Sequence, residues 1–276
     1  MTIPEPNIQI PVDLTNPGQF FACCGLLELA DRLWPGTEVV AWFEPKHFCI
    51  SSVDPACSTR ELMKRLHSCE VVQLDKDDDS ASPLLMCTSN NLRLDWWTKI
   101  ETDSKKIVDI GTSKTLMTWS GSQKGPRIFR LFQESLAQLD AEDPLNHAIA
   151  VCDPFASNPD RAVSPFYFDS RRDGNSQDIG FSPDEQSMSV IAFPAVEILA
   201  LVGIQRFRPA IHEDTKPRSF VYTAWTERLS PIIAAVAAQG AMPTRSNVCF
   251  RFTKPSRGGE YLSMFSRVKL ERSNHD

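Results

Sequence analysis

The chain has 276 residues, 29 Lys and Arg against 35 Asp and Glu, and a formal charge of −6 at pH 7. Hydrophobic side chains make up 42% of it, enough for a packed core, which excludes a disordered chain. Apolar runs such as Ile232–Ala238 fall far short of the roughly 20 residues of a membrane span, and MTIPEPNIQI lacks the basic and apolar regions of a secretory signal, so a cytoplasmic protein with no membrane partner is expected.

Ile8–Val12 alternates and reads as an edge strand because of Pro11. Asn16-Pro17 reads as a helix cap followed by proline at the first helical position. The helix should run to Leu33, with Phe20, Cys23, Cys24, Leu27 and Ala30 as its buried stripe, and Pro35-Gly36 stops it. Val39–Phe43 and Phe48–Ser51 read as a strand pair, Thr59–His67 as a short helix, and Val71–Leu74, Leu84–Cys87 and Leu92–Trp96 as strands. Lys105–Gly125 gives no clear period, whereas Pro126–Leu139 is amphipathic. Asp153-Pro154 and Asn158-Pro159 are turn signals, Ser164–Asp169 alternates as a strand, and Ser170–Gln186 is polar. Pro194–Gly203 and Pro231–Gln239 read as helices and Ser219–Trp225 as a strand. Val248–Thr253 and Tyr261–Lys269 read as a terminal hairpin around Pro255–Gly259. Strands and helices do not alternate regularly. The expected fold is therefore α+β: a mixed, mainly antiparallel sheet with packed helices and a C-terminal β-hairpin, in a single unit over 1–276 with a sub-boundary near 140–163.

The eight cysteines include no C-x-x-C pair, and free thiols are expected. Cys57, His67, Cys69 and Cys87 are the best metal constellation, but their spacing matches no zinc module; no metal or cofactor is expected. Asp77-Asp78-Asp79 reads as an exposed acidic loop without the glycine and distal glutamate of a calcium loop. Charge is uneven along the chain. Residues 1–104 carry a net −8, residues 105–200 a net −4 and residues 201–276 a net +6, so one face can meet a polyanion despite the negative total.

No P-loop, dinucleotide glycine motif, H-E-x-x-H or G-x-S-x-G is present, and the five histidines form no pair, so a non-enzyme is expected. Two polar constellations remain. In Thr118–Gly125, followed by Arg127 and Arg130, small residues admit a phosphate, Lys124 and the arginines neutralise it, Trp119 stacks on a base and Gln123 reaches a base edge. A glycine loop before a helix with a core tryptophan fits the same residues. Arg171 and Arg172, before Asp173, suit phosphate or base contacts, and equally a structural Arg–Asp pair. Arg251, Lys254 and Arg257 make the terminal hairpin basic, as in a nucleic-acid element or a solvated edge. Asn16–Gln19 reads mainly as a helix cap, with Gln19 as a secondary contact candidate.

The segment Ile10–Asp31, the central Phe168–Asp173 with Asp178–Pro183, and the shorter Leu94–Trp97, Trp119–Gly121 and Pro194–Gly203 stretches resemble one family in the right order along nearly the whole chain. It is the Csb-type CRISPR-associated protein, third of its series, of type I-G (formerly I-U) operons. The resemblance implies a large-subunit-like, non-catalytic component of a Cascade complex in antiviral defence. Its partners would be CRISPR RNA, target DNA, the backbone and guide-processing subunits, and the helicase–nuclease. It would sit near the motif flanking the target, as in PAM recognition. An architectural subunit that contacts only protein, and an unrelated cytosolic enzyme using a cysteine or the aspartate cluster, are the alternatives.

Overall fold

Asn16 holds an extended backbone and its side-chain oxygen accepts from Gly18 N at 3.1 Å, so helix α1 (Pro17–Leu33) starts at the Asn-Pro step as its sequence implies. The computed structural model describes residues 5–75, 84–95, 100–103, 106–109, 125–151, 165–171, 188–212, 219–242, 248–253, 256–257, 260–261, 265–266 and 268–270. Pro17–Ala30 are buried throughout, not along one stripe. The cause is that α1 has neighbours on all sides. Phe20 stacks on Tyr222 with ring centroids 4.3 Å apart, meets Phe43 at 5.3 Å, and reaches Trp225 edge-on at 6.2 Å. Helix α4, the fourth helix among the described residues (Pro194–Arg206), packs against α1 and is itself buried from Pro194 to Ile204. A helix apolar on every side is stable in water only in such a sandwich.

The α1–α4 contact depends on missing side chains. A Cβ on Gly25 would overlap the Leu199 carbonyl oxygen, and one on Gly203 would overlap that of Phe21. Gly203 therefore serves close approach rather than ending the helix, which continues to Arg206. The fully buried Glu28 holds Arg32 and Arg206, each at 2.6 Å, and Arg206 also reaches Asp31 at 3.0 Å. Two guanidiniums offset the desolvation of one carboxylate and tie α4 to α1.

Every described strand pairing is antiparallel. Strands β1 (Ile8–Pro11), β2 (Val39–Phe43) and β3 (His47–Ser52) form a sheet in the order β1-β3-β2. A second sheet of β4 (Val71–Gln73), β5 (Leu84–Met86) and β6 (Leu92–Leu94) follows α2 (Thr59–Ser68). Strands β7 (Ile100–Asp103) and β8 (Lys106–Asp109) pair, β8 falling in the stretch Lys105–Gly125 whose sequence shows no clear period. Helix α3 (Gly125–Ser135) buries Ile128, Phe129, Leu131 and Phe132, the expected amphipathic face, and ends in a 3-10 turn. Strands β9 (Ile149–Val151) and β10 (Val190–Ala192) pair ahead of α4.

The four-stranded sheet of β11 (Ala210–His212), β12 (Ser219–Ala224), β13 (Val248–Thr253) and β16 (Lys269–Leu270) closes the core. Helix α5 (Pro231–Ala238) lies between its two central strands in sequence. The main partner of β13 is β12, in full six-residue register; β16 meets only Phe250 and Arg251. The short ladder of β14 (Ser256–Arg257) and β15 (Glu260–Tyr261) lies within the expected terminal hairpin. Trp225 joins the sheets: its Nε1 donates to Ala41 O at 2.9 Å, and its carbonyl accepts from Phe43 N at 2.8 Å.

Gly25→Ala is expected to lower stability by about 3 kcal/mol, the upper end of overpacking, because backbone rather than a flexible side chain must yield. Urea midpoints measure this; a loss below about 0.5 kcal/mol, the level of an innocuous surface change, would contradict the close α1–α4 contact.

Candidate functional site

The expected strand Ser164–Asp169 is not one. Residues 165–169 are all buried and belong to no ladder, and Tyr167 sits in the left-handed region at φ 62°. That conformation costs a non-glycine residue about 1 to 3 kcal/mol, so its surroundings must hold it. The Tyr167 carbonyl accepts from Phe265 N at 3.0 Å. Beyond it the Glu197 carboxylate accepts from Phe168 N at 3.4 Å and Asp169 N at 3.2 Å. Glu197 lies in the first turn of α4, where a negative charge suits the helix dipole. Phe166 and Phe168 stack inside the core with centroids 5.6 Å apart.

The chain leaving Phe168 lies so close to α1 that a Cβ on Gly18 would overlap its carbonyl oxygen. At that crossing Asn16 Nδ2 donates to Asp169 Oδ1 at 2.8 Å, across 153 residues of sequence. Asn16 Oδ1 accepts from Ser170 N at 3.2 Å as well as from Gly18 N. The other lone pairs of Asp169 face Arg171: Oδ1 accepts from its backbone N at 2.8 Å, and Oδ2 from Nη2 at 2.7 Å. Nη2 also donates to Leu145 O at 2.6 Å, Nη1 to Asn146 Oδ1, and the guanidinium stacks 3.7 Å from the Phe193 ring centre. Asp169 is 2% exposed and the Arg171 side chain 24%. Four segments thus meet around the Asp169–Arg171 pair: the start of α1, the Phe168–Arg171 turn, the Pro144–Asn146 turn and the start of α4.

This arrangement positions backbone; it contains no activated nucleophile. Arg171 pairs with Asp169, as in the second of the two roles its sequence allowed; Asp173 lies outside the described residues. Gln19 is also engaged, its Oε1 accepting from Asp13 N at 2.6 Å. Arg127 and Arg130 stand exposed on α3. Arg251 is half-buried on β13 beside Val221 and Lys269. Arg257 falls on β14. Trp119, Gln123, Lys124, Arg172 and Lys254 lie outside the described residues, as do Asp77–Asp79 and Asp178–Pro183. The structure therefore brings Arg171 to the first-helix motif and leaves Arg127, Arg130 and Arg251 on other elements. Sequence reasoning missed Glu197, Asn146 and Phe193. The one available signal was an acidic residue within an otherwise apolar helix.

The candidate zinc set does not converge. Cys57 is buried in the core, His67 Nδ1 lies 2.9 Å from Gln133 O, and Cys69 donates through Sγ to Cys87 O at 3.5 Å. Among the described residues, no group of three or more His, Cys, Asp or Glu is placed to hold a metal ion. Cys23 and Cys24 are core residues, as expected, and burial pushes both thiols far up. Burial likewise pushes Cys49 up to about 12 and Cys57 to about 11, and raises Cys69 and Cys249. A nucleophilic cysteine needs the opposite shift.

Compared with known proteins, the chain matches no family model, no curated protein and no solved structure.

Asp169→Ala is expected to lower stability by about 2 to 3 kcal/mol and Asn16→Ala by about 1 to 2, through unpaired buried donors and a lost cap. The double variant should show a coupling of about 1 kcal/mol in urea unfolding; additivity within about 0.3 kcal/mol would mean that the two side chains do not meet.

Proposed function

We propose that the chain is a non-catalytic subunit of a type I CRISPR RNA-guided surveillance complex. It would hold guide RNA or target DNA near the flanking motif and help recruit the helicase–nuclease. One observation carries the reading. The two most specific segments of the resemblance, at Asn16–Gln19 and Phe168–Arg171, are far apart in sequence and bonded side chain to side chain. They form one structural unit, which explains why a family would carry both together. The buried thiols, all shifted away from nucleophile chemistry, favour binding over a cysteine-dependent reaction.

The architectural alternative draws on a different observation. Helix α5 exposes Ile232 at 72%, and Ile233 and Val236 at 43% each. An apolar face of this kind suits a neighbouring protein. Protein docking there and nucleic-acid contact elsewhere are compatible within one complex.

Co-expression with the operon neighbours and a guide RNA tests the proposal. The complex is expected to co-purify with the chain and to lose discrimination of the flanking motif, or to fail to assemble, without it. Unchanged assembly and unchanged target binding in its absence would overturn the proposal. Assembly that requires the chain, with target discrimination unaffected by Arg127→Gln/Arg130→Gln, would favour the architectural role.

A further inference from the structure

Helices α2 and α3 meet at one joint. Gln133 of α3 donates through Nε2 to Leu66 O at 2.9 Å and Cys69 O at 2.7 Å, and its own carbonyl accepts from His67 Nδ1 at 2.9 Å. A carbonyl only accepts, so Nδ1 carries the proton and Nε2 is the polar atom left to face outward. His67 is the last of three exposed residues at i, i+4 and i+7 on α2, after Arg60 and Lys64. All three line a groove of about 560 Å³, with Met63, Leu136 and Leu139 among its apolar lining and Asp140 as its one acidic lining residue. The Glu61 carboxylate is held by Arg65 at 3.0 Å and lies 3.9 Å from Lys64 Nζ, whose side chain is 76% exposed. Arg130 stands about one turn before Gln133 and is exposed on α3, as is Glu134.

We propose that this groove binds single-stranded RNA. Four residues of helix advance about 6 Å, so Arg60 and Lys64 present two cations at a spacing that neighbouring phosphates of an extended strand can meet. The apolar surface receives a base or ribose face. Asp140 repels a phosphate but accepts from a ribose 2′-hydroxyl, which selects RNA over DNA. This inference rests on the reading above for the source of the RNA, the guide, and not for the binding itself.

The test uses the purified full chain and a labelled mixed-sequence RNA of about 15 nucleotides, titrated across a series of salt concentrations. Arg60→Gln/Lys64→Gln is expected to weaken binding roughly tenfold or more and to lower the slope of log affinity against log salt by about 1.4, two phosphate contacts' worth. Its melting temperature should match the parent chain, because both side chains are exposed. Asp140→Asn should erase the preference for RNA over DNA of the same sequence. Unchanged RNA affinity in the double variant, no RNA binding by the parent chain, equal parental affinity for DNA, or displacement of RNA by poly-glutamate at lower concentration than by unlabelled RNA would each overturn the proposal. If the chain joins the guide complex while the double variant binds RNA normally, the groove is wrong and the subunit reading stands. If RNA binds through the groove but the chain joins no guide complex, the groove stands and the subunit reading fails.

Discussion

A single buried carboxylate organises the centre of this protein. Asp169 accepts from Asn16 and from Arg171, and through them it joins the start of α1 to the Pro144–Asn146 turn and the start of α4. Without these bonds the Phe168–Arg171 turn would bring backbone N–H groups and a carboxylate into the core unpaired. The left-handed Tyr167 is held against its strain by the same surroundings. Gly18 belongs to this logic, since any side chain there would force the turn away from α1.

The helix pair carries the constraint outward. Because Gly25 and Gly203 let α1 and α4 touch backbone to backbone, the two helices act as one buried slab, closed by Glu28 and its two arginines. On the α1 side, Phe20, Tyr222, Phe43 and Trp225 lock two antiparallel sheets together. Helices α2 and α3, joined through Gln133, leave their charged faces outside. The buried polar groups thus position backbone, while Arg60, Lys64 and His67 stand exposed outside the core.

Much of this fold is legible in the sequence. The Asn-Pro cap, the five described helices and most described strands follow from period and punctuation, and the mixed antiparallel class follows from their irregular order. Three features were not legible, each for a physical reason. The complete burial of α1 depends on neighbours distant in sequence, so its period shows only a stripe. Ser164–Asp169 alternates like a strand, but a carboxylate from α4 and the left-handed Tyr167 override that local preference. Arg171 reads equally as a nucleic-acid contact or a structural Arg–Asp pair, but the sequence does not show which groups its donors face: Asp169, Asn146 and Leu145. In the other direction, Arg60, Lys64 and His67 lie in the acidic part of the chain, where net charge hides a basic helix face. The row was visible in the i, i+4, i+7 spacing alone.

The account therefore has two parts: a centre built from the two motif segments, and a basic helical surface proposed here to bind RNA. Crosslinking within the assembled complex tests them together. A guide RNA carrying photoreactive uridines, co-expressed with this chain and its operon neighbours, would be irradiated and the crosslinked peptides mapped by mass spectrometry. The account expects crosslinks in the peptides that line the groove, at Thr59–Ser68 and across residues 136–141. A complex that contains the chain but crosslinks only through other segments, or through none of its peptides, would contradict it.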